Sequence, residues 1–141
     1  MNAQSADHGT ILSVQGVHKR FGDRPVLQGI NLDVDRHEVV ALIGASGSGK
    51  STLLKIAAGI VEADGGERFL QPGTTVHYLP QEPDFGSHET VQSYVDAGLG
   101  PMGEIWRAQH YLRELGLTGE EAPSRLSGGE ARRAALARAL A

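Results

Sequence analysis

Three consecutive stretches decide how this chain folds. They are Glu38-Val39-Val40-Ala41-Leu42-Ile43, then Gly44-Ala45-Ser46-Gly47-Ser48-Gly49-Lys50-Ser51, then the run on to Ile60. The middle eight residues fit G-x-x-x-x-G-K-[ST] at every fixed position. The apolar, β-branched run before them reads as a strand buried on both faces of a parallel sheet. After them, Leu53, Leu54, Ile56, Ala57 and Ile60 recur at helical spacing, and Gly59 stands near the helix end. A glycine-rich turn between strand and helix lets the backbone curl around a small anion with its N–H groups aimed inward. The helix start adds its positive end. This is a phosphate loop, in which Lys50 is expected to reach the β- and γ-phosphates of a nucleotide and the Ser51 hydroxyl to bind Mg²⁺. The competing reading is a plain glycine-rich surface turn, which 19 glycines make easier to meet by chance. The strand before and the helix after decide against it.

Size and composition narrow the rest. The 141 residues are enough for one domain or part of one, and 40% hydrophobic residues are enough for a packed core. No apolar stretch is long enough to span a bilayer, and residues 1–10 show no signal-peptide core, so we expect a flexible tail there and no direct membrane insertion. The absence of cysteine removes disulfides and thiolate metal sites and is compatible with a reducing cytoplasm. A net charge of −4 gives no support to a broad nucleic-acid-binding face. His8, His18, His37, His77, His88 and His110 do not pair at metal-ligand spacings.

Along the chain, strands are expected at Ile11–Val17, Val26–Val34, Arg68–Leu70 and Val76–Leu79, in addition to the one before the loop. His18–Pro25 reads as turn-like, and Glu62–Glu67 as a strong turn signal. Thr90–Leu99 and Glu104–Leu115 read as short amphipathic helices, the second closed by Gly116. Glu130–Ala141, rich in alanine, leucine and arginine, reads as a third.

A second motif opens that last helix: Leu126-Ser127-Gly128-Gly129-Glu130. Alone it is no more than a serine N-cap. Together with the phosphate loop it resembles the signature motif of ATP-binding cassette (ABC) ATPases. The resemblance implies a P-loop NTPase α/β fold, with an antiparallel β subdomain, a partial RecA-like core and a short helical subdomain at about 88–128, within an incomplete cassette over 11–141. It implies ATP and Mg²⁺ as ligands. Gly44, Ala45, Ser46, Gly47, Ser48, Gly49, Lys50, Ser51 and Thr52 would hold the nucleotide, with Thr52 at the α-phosphate. Ser127, Gly128, Gly129 and Glu130 would close over a nucleotide held by a second cassette. Gln81, in Tyr78-Leu79-Pro80-Gln81, sits where the family has its Q-loop glutamine, which contacts Mg²⁺ and the attacking water; Lys50 and Gln81 are the catalytic candidates, Ser51 and Gln81 the metal ligands. Phe21 sits where the family stacks an aromatic ring on adenine; the alternative is a core phenylalanine.

The chain departs from the family pattern after the signature helix. Eleven residues follow Glu130, and no run of four aliphatic residues followed by Asp-Glu occurs. The Walker B strand and catalytic glutamate of the family are therefore not among these residues. We expect the 141-residue chain to bind ATP without hydrolysing it at a useful rate, and to be a fragment or truncated product of an ATPase. Tyr78–Pro83 and Leu126–Leu140 resemble the ABC-F subfamily, soluble proteins with two cassettes that act on ribosomes, and the short segment between Gln81 and Leu126 fits a soluble, cytoplasmic role. The alternatives are the ATPase subunit of a transporter, docked on membrane permease subunits at the inner face of the membrane, and a non-catalytic remnant.

Overall fold

The computed structural model describes residues 9–141, so most of the expected tail lies outside the described residues. The chain divides into two compact units at Val76/His77.

The first unit is built on a hairpin. Strands β1 (Thr10–Phe21) and β2 (Arg24–Asp35) pair antiparallel, and β3 (Gly65–Leu70) pairs antiparallel with the other edge of β1, giving the order β2-β1-β3. β1 starts at Thr10, inside the expected tail, and runs through His18–Phe21, where a turn was expected. The turn shrinks to Gly22-Asp23, with Gly22 at φ 60° and the Arg20 guanidinium donating to the Asp23 carbonyl at 2.8 Å. The Asp64 carboxylate accepts from the Arg20 N–H at 2.7 Å and from Lys19 Nζ at 3.1 Å, fastening this end of β1. β3 likewise takes in the glycine pair that reads as a turn. Gly66 lies at φ 94°, and a Cβ there would come within 2.6 Å of the Gln15 and Gly16 carbonyl oxygens, so the bulge between Gln15 and His18 admits only glycine. Helix α1 (Lys50–Ala57) ends earlier than its apolar spacing suggests. Gly59, at φ 77°, donates to the Ile56 carbonyl and Ile60 to that of Lys55, a Schellman closure. Val14, Val17, Leu27, Leu53 and Ile56 form the core between sheet and helix.

Two expected strands are not formed. Residues 38–43 enter no ladder, with Val39 95% and Ile43 97% exposed, and residues 76–79 enter none either. The cause is pairing. A strand that is apolar on both faces is stable only with hydrogen-bonded neighbours and covering layers, and the described residues supply no pairing partner for either stretch and cover the first only in part, at Leu42.

The second unit is helical: α2 (Val91–Asp96), α3 (Ile105–Glu114), a 3₁₀ turn at Pro123–Arg125 and α4 (Gly128–Leu140). Thr90 and Ser93 form a capping box at the start of α2. Gly116, at φ 74°, and Leu117 donate to Arg113 and Leu112, closing α3 and folding Leu117 onto the same core as Leu112. Val91, Tyr94, Val95, Ala108, Leu112, Leu117, Ala134 and Ala137 form that core; the alanine face of α4 lets it pack closely. Arg138 stacks on the Tyr94 ring at 4.6 Å and donates to its carbonyl at 3.1 Å. No helix among the described residues is long and apolar enough to cross a membrane.

Candidate functional site

The loop 44–49 passes from the extended 38–43 stretch into the first turn of α1. Ser48 N–H donates to the Ala45 carbonyl, and Gly47 and Gly49 take φ values of 80° and 95°. Gly49 is required by space and by its φ, while Gly44 is crowded only by a hydroxyl that a rotamer change can move aside. A Cβ on Gly49 would stand 2.8 Å from Leu27 Cδ2 and 3.0 Å from the Val26 carbonyl oxygen; one on Gly44 would stand 2.9 Å from Ser48 Oγ. The loop therefore rests on the start of β2, and Val26 and Leu27 are supporting residues that the motif does not reveal. Their only sequence signal is an apolar pair at a strand start.

Gly49 is the N-cap of α1 and offers no side-chain acceptor, so the first-turn N–H groups stay available to an outside anion. Lys50 Nζ donates to the Gly44 carbonyl at 2.6 Å, the Ala45 carbonyl at 2.8 Å and Ser48 Oγ at 3.2 Å. The ammonium is held inside the loop curve by neutral acceptors, which a phosphate oxygen would replace with stronger charge-assisted bonds. Ser51 is exposed on that first turn and Thr52 is half-buried beside it. The donor set thus fits a nucleotide phosphate. One hydroxyl ligand, Ser51, fits Mg²⁺, an ion that keeps several waters and takes few protein ligands.

Phe21 ends β1 opposite Arg24 across the hairpin turn. Its ring is 54% exposed, with Lys19 Nζ 5.4 Å from the centroid, so it is not a core residue. The hairpin tip and the loop are neighbours: the Arg24 guanidinium would lie 3.8 Å from a Cβ on Gly47.

The remaining site residues belong to the second unit. Gln81 is exposed in the bend after Pro80. Ser127 caps α4: its Oγ accepts from the Glu130 N–H at 3.3 Å, and Glu130 Oε2 accepts from the Ser127 N–H at 2.8 Å. These bonds from the Ser127 backbone and side chain, helped by Arg133, hold the Glu130 carboxyl below the usual carboxylate range. Gly128 and Gly129 follow in the first turn, and a Cβ on either would meet nothing within 4 Å.

Comparison with known proteins places this geometry. Residues 27–141 match the family model described as ABC transporter. The chain is 44% identical to the ATP-binding protein Uup of Caulobacter vibrioides over 93% of its own length and 21% of that protein. It is 43% identical to the aliphatic sulfonates import ATP-binding protein SsuB 3 of Rhodococcus jostii over 92% of its own length and 48% of that protein. Among solved structures, an ATP-binding subunit of an ABC transporter superposes with a TM-score of 0.78 at 26% identity, over 92% of this chain and 61% of that one. CbiO1 of Clostridium perfringens, part of the CbiONQ transporter complex, superposes with a TM-score of 0.73 at 27% identity, over 94% and 62%. The chain thus spans between about a fifth and about half of the curated relatives it matches. With the phosphate loop, the signature cap and the match over residues 27–141 in agreement, the chain belongs to the ABC transporter family and carries part of its ATP-binding cassette.

Proposed function

We propose that this chain binds Mg²⁺-ATP through Gly44–Thr52 and works as the front part of an ABC ATPase. The observation that carries the reading is the loop itself: a Gly49 with no room for a Cβ, an uncapped helix start, and an ammonium held within the curve. Phe21 offers an open aromatic face for the base, Lys50 holds the outer phosphates, and Ser51 serves the metal. Bound ATP supplies the transferable phosphoryl group; this chain's residues bind it, orient it and neutralise its charge. The signature residues Ser127–Glu130 act on a nucleotide held by a second cassette. The unobstructed Gly128 and Gly129 support this. Glycine is a poorer helix former than alanine, and nothing among the described residues requires either. Close approach by an outside ligand would require both. In this reading hydrolysis needs the catalytic glutamate that the family carries after the signature helix, which is not among these residues.

Titration of the chain with a fluorescent ATP analogue tests the reading: saturable, Mg²⁺-dependent binding that Lys50→Ala abolishes is expected. Binding that survives Lys50→Ala would overturn the phosphate-site assignment.

Two readings of the longer protein have separate support. The Tyr78–Pro83 and Leu126–Leu140 motifs and the short segment between them favour an ABC-F type of ribosome-associated protein. The names of the SsuB relatives, importers' ATP-binding proteins, favour a transporter subunit paired with membrane permease subunits. Sedimentation of the tagged full-length product separates them: co-migration with ribosomes supports the first, and retention on membranes the second.

A further inference from the structure

We infer that Arg24 is a second cationic ligand of the nucleotide's phosphate chain, a role that neither the phosphate-loop pattern nor the signature assigns. The inference rests on the nucleotide-binding reading of the loop and adds a residue from another element. In β2, Val26 lies against Gly49, within 3.0–3.1 Å of where a Cβ would stand. Arg24, nearer the hairpin tip and beyond the irregularity at Lys19/Arg20, reaches Gly47, with its Nη2 atom 3.8 Å from where that residue's Cβ would stand. The contact follows from the seating of β2 on the loop.

Charge supports the same conclusion. Arg24 is exposed, and no carboxylate pairs with it among the described residues, where the ion pair is Lys19–Asp64. Its position in the chain gives the part of the ligand it meets. Its register partner across the turn is Phe21, the open ring, and its guanidinium stands at the middle of the loop. A nucleotide laid from that ring into the loop passes Arg24 between its base and its terminal phosphate. The guanidinium fork, with parallel donors, suits two oxygens of the α- and β-phosphates. The ligand class is a nucleoside diphosphate or triphosphate, and the contribution is equal for the two because the γ-phosphate is not involved.

The test is titration of the full 141-residue chain with the fluorescent analogues MANT-ADP and MANT-ATP at low and high salt, with circular dichroism recorded on every variant. Arg24→Ala is expected to weaken both nucleotides by about tenfold, as for the loss of a hydrogen bond to a charged group, and to flatten the salt dependence. Arg24→Lys should recover part of the affinity, and Arg24→Gln, close in length but neutral, none. Affinities within twofold of the unaltered chain in Arg24→Ala or Arg24→Gln, with Lys50→Ala abolishing binding, would overturn the Arg24 assignment and leave the loop reading intact. A loss confined to MANT-ATP would overturn the α,β placement. Binding that survives Lys50→Ala, or no binding by the unaltered chain, would overturn the loop reading and the Arg24 assignment with it.

Discussion

Single atoms decide much of this molecule. Gly49→Ala would drive a methyl to 2.8 Å from Leu27 at a φ of 95°, so the loop and its support on β2 cannot both persist. We expect nucleotide affinity to fall at least tenfold with the helices of the second unit unchanged by circular dichroism. Gly66→Ala is worse placed, with two backbone carbonyls at 2.6 Å and neither able to swing aside. It should destabilise the first unit by more than about 2 kcal/mol, read as a shift in the urea midpoint. The two glycines differ in how legible they are. Gly49 is announced by a local pattern of eight residues, because its role is local. Gly66 reads as a turn, because the carbonyls that demand it belong to a strand some fifty positions earlier. Phe21 was undecided between core and surface for the same reason, since its exposure depends on where the turn closes.

Among the elements, the helices were readable to within a few residues because their caps lie beside them in the chain. Thr90 and Ser93, Ser127 and Glu130, Gly59 and Gly116 each act within one turn. Strands 38–43 and 76–79 read equally clearly and did not form, since a strand is a property of a pair. The caps give measurable expectations. Gly116→Ala, at φ 74°, should cost the second unit about 1 kcal/mol in thermal unfolding. The Glu130 carboxyl, held below its ordinary range in the folded state, stabilises α4 while ionised. That contribution is complete above the ordinary carboxylate range and is lost as pH falls through the lowered value. The melting temperature should therefore drop on acidification below about pH 4, and less so in Glu130→Gln, which keeps an acceptor but does not titrate. Identical profiles for the two proteins would show that the carboxylate is not what senses pH.

Across the whole molecule, two cores stand on separate stretches of chain, and apolar side chains remain in water at Val39, Val40, Ile43, Leu54 and Ile60. Hydrogen exchange should show the amides of residues 39–43 exchanging at nearly unprotected rates while those of Val14 and Val17 are slow. Supplying the remainder of the cassette should slow the former; unchanged rates in the longer protein would contradict the pairing argument. Leu112→Ala should cost the second unit about 2–5 kcal/mol. The Ser127 hydroxyl accepts the cap bond with its oxygen, and its hydrogen can turn from the Glu130 carboxylate to an outside acceptor. Aspartate caps a helix as well as serine does but has no hydrogen to give and carries a charge that repels phosphate. Ser127→Asp keeps a cap acceptor but sets a second carboxylate beside that of Glu130, and we expect α4, its helicity checked by circular dichroism, to start at an end that repels an anion. In the role proposed above for Ser127–Glu130, that change would act as a selective brake on one of two composite sites in a two-cassette parent and leave the other unaltered.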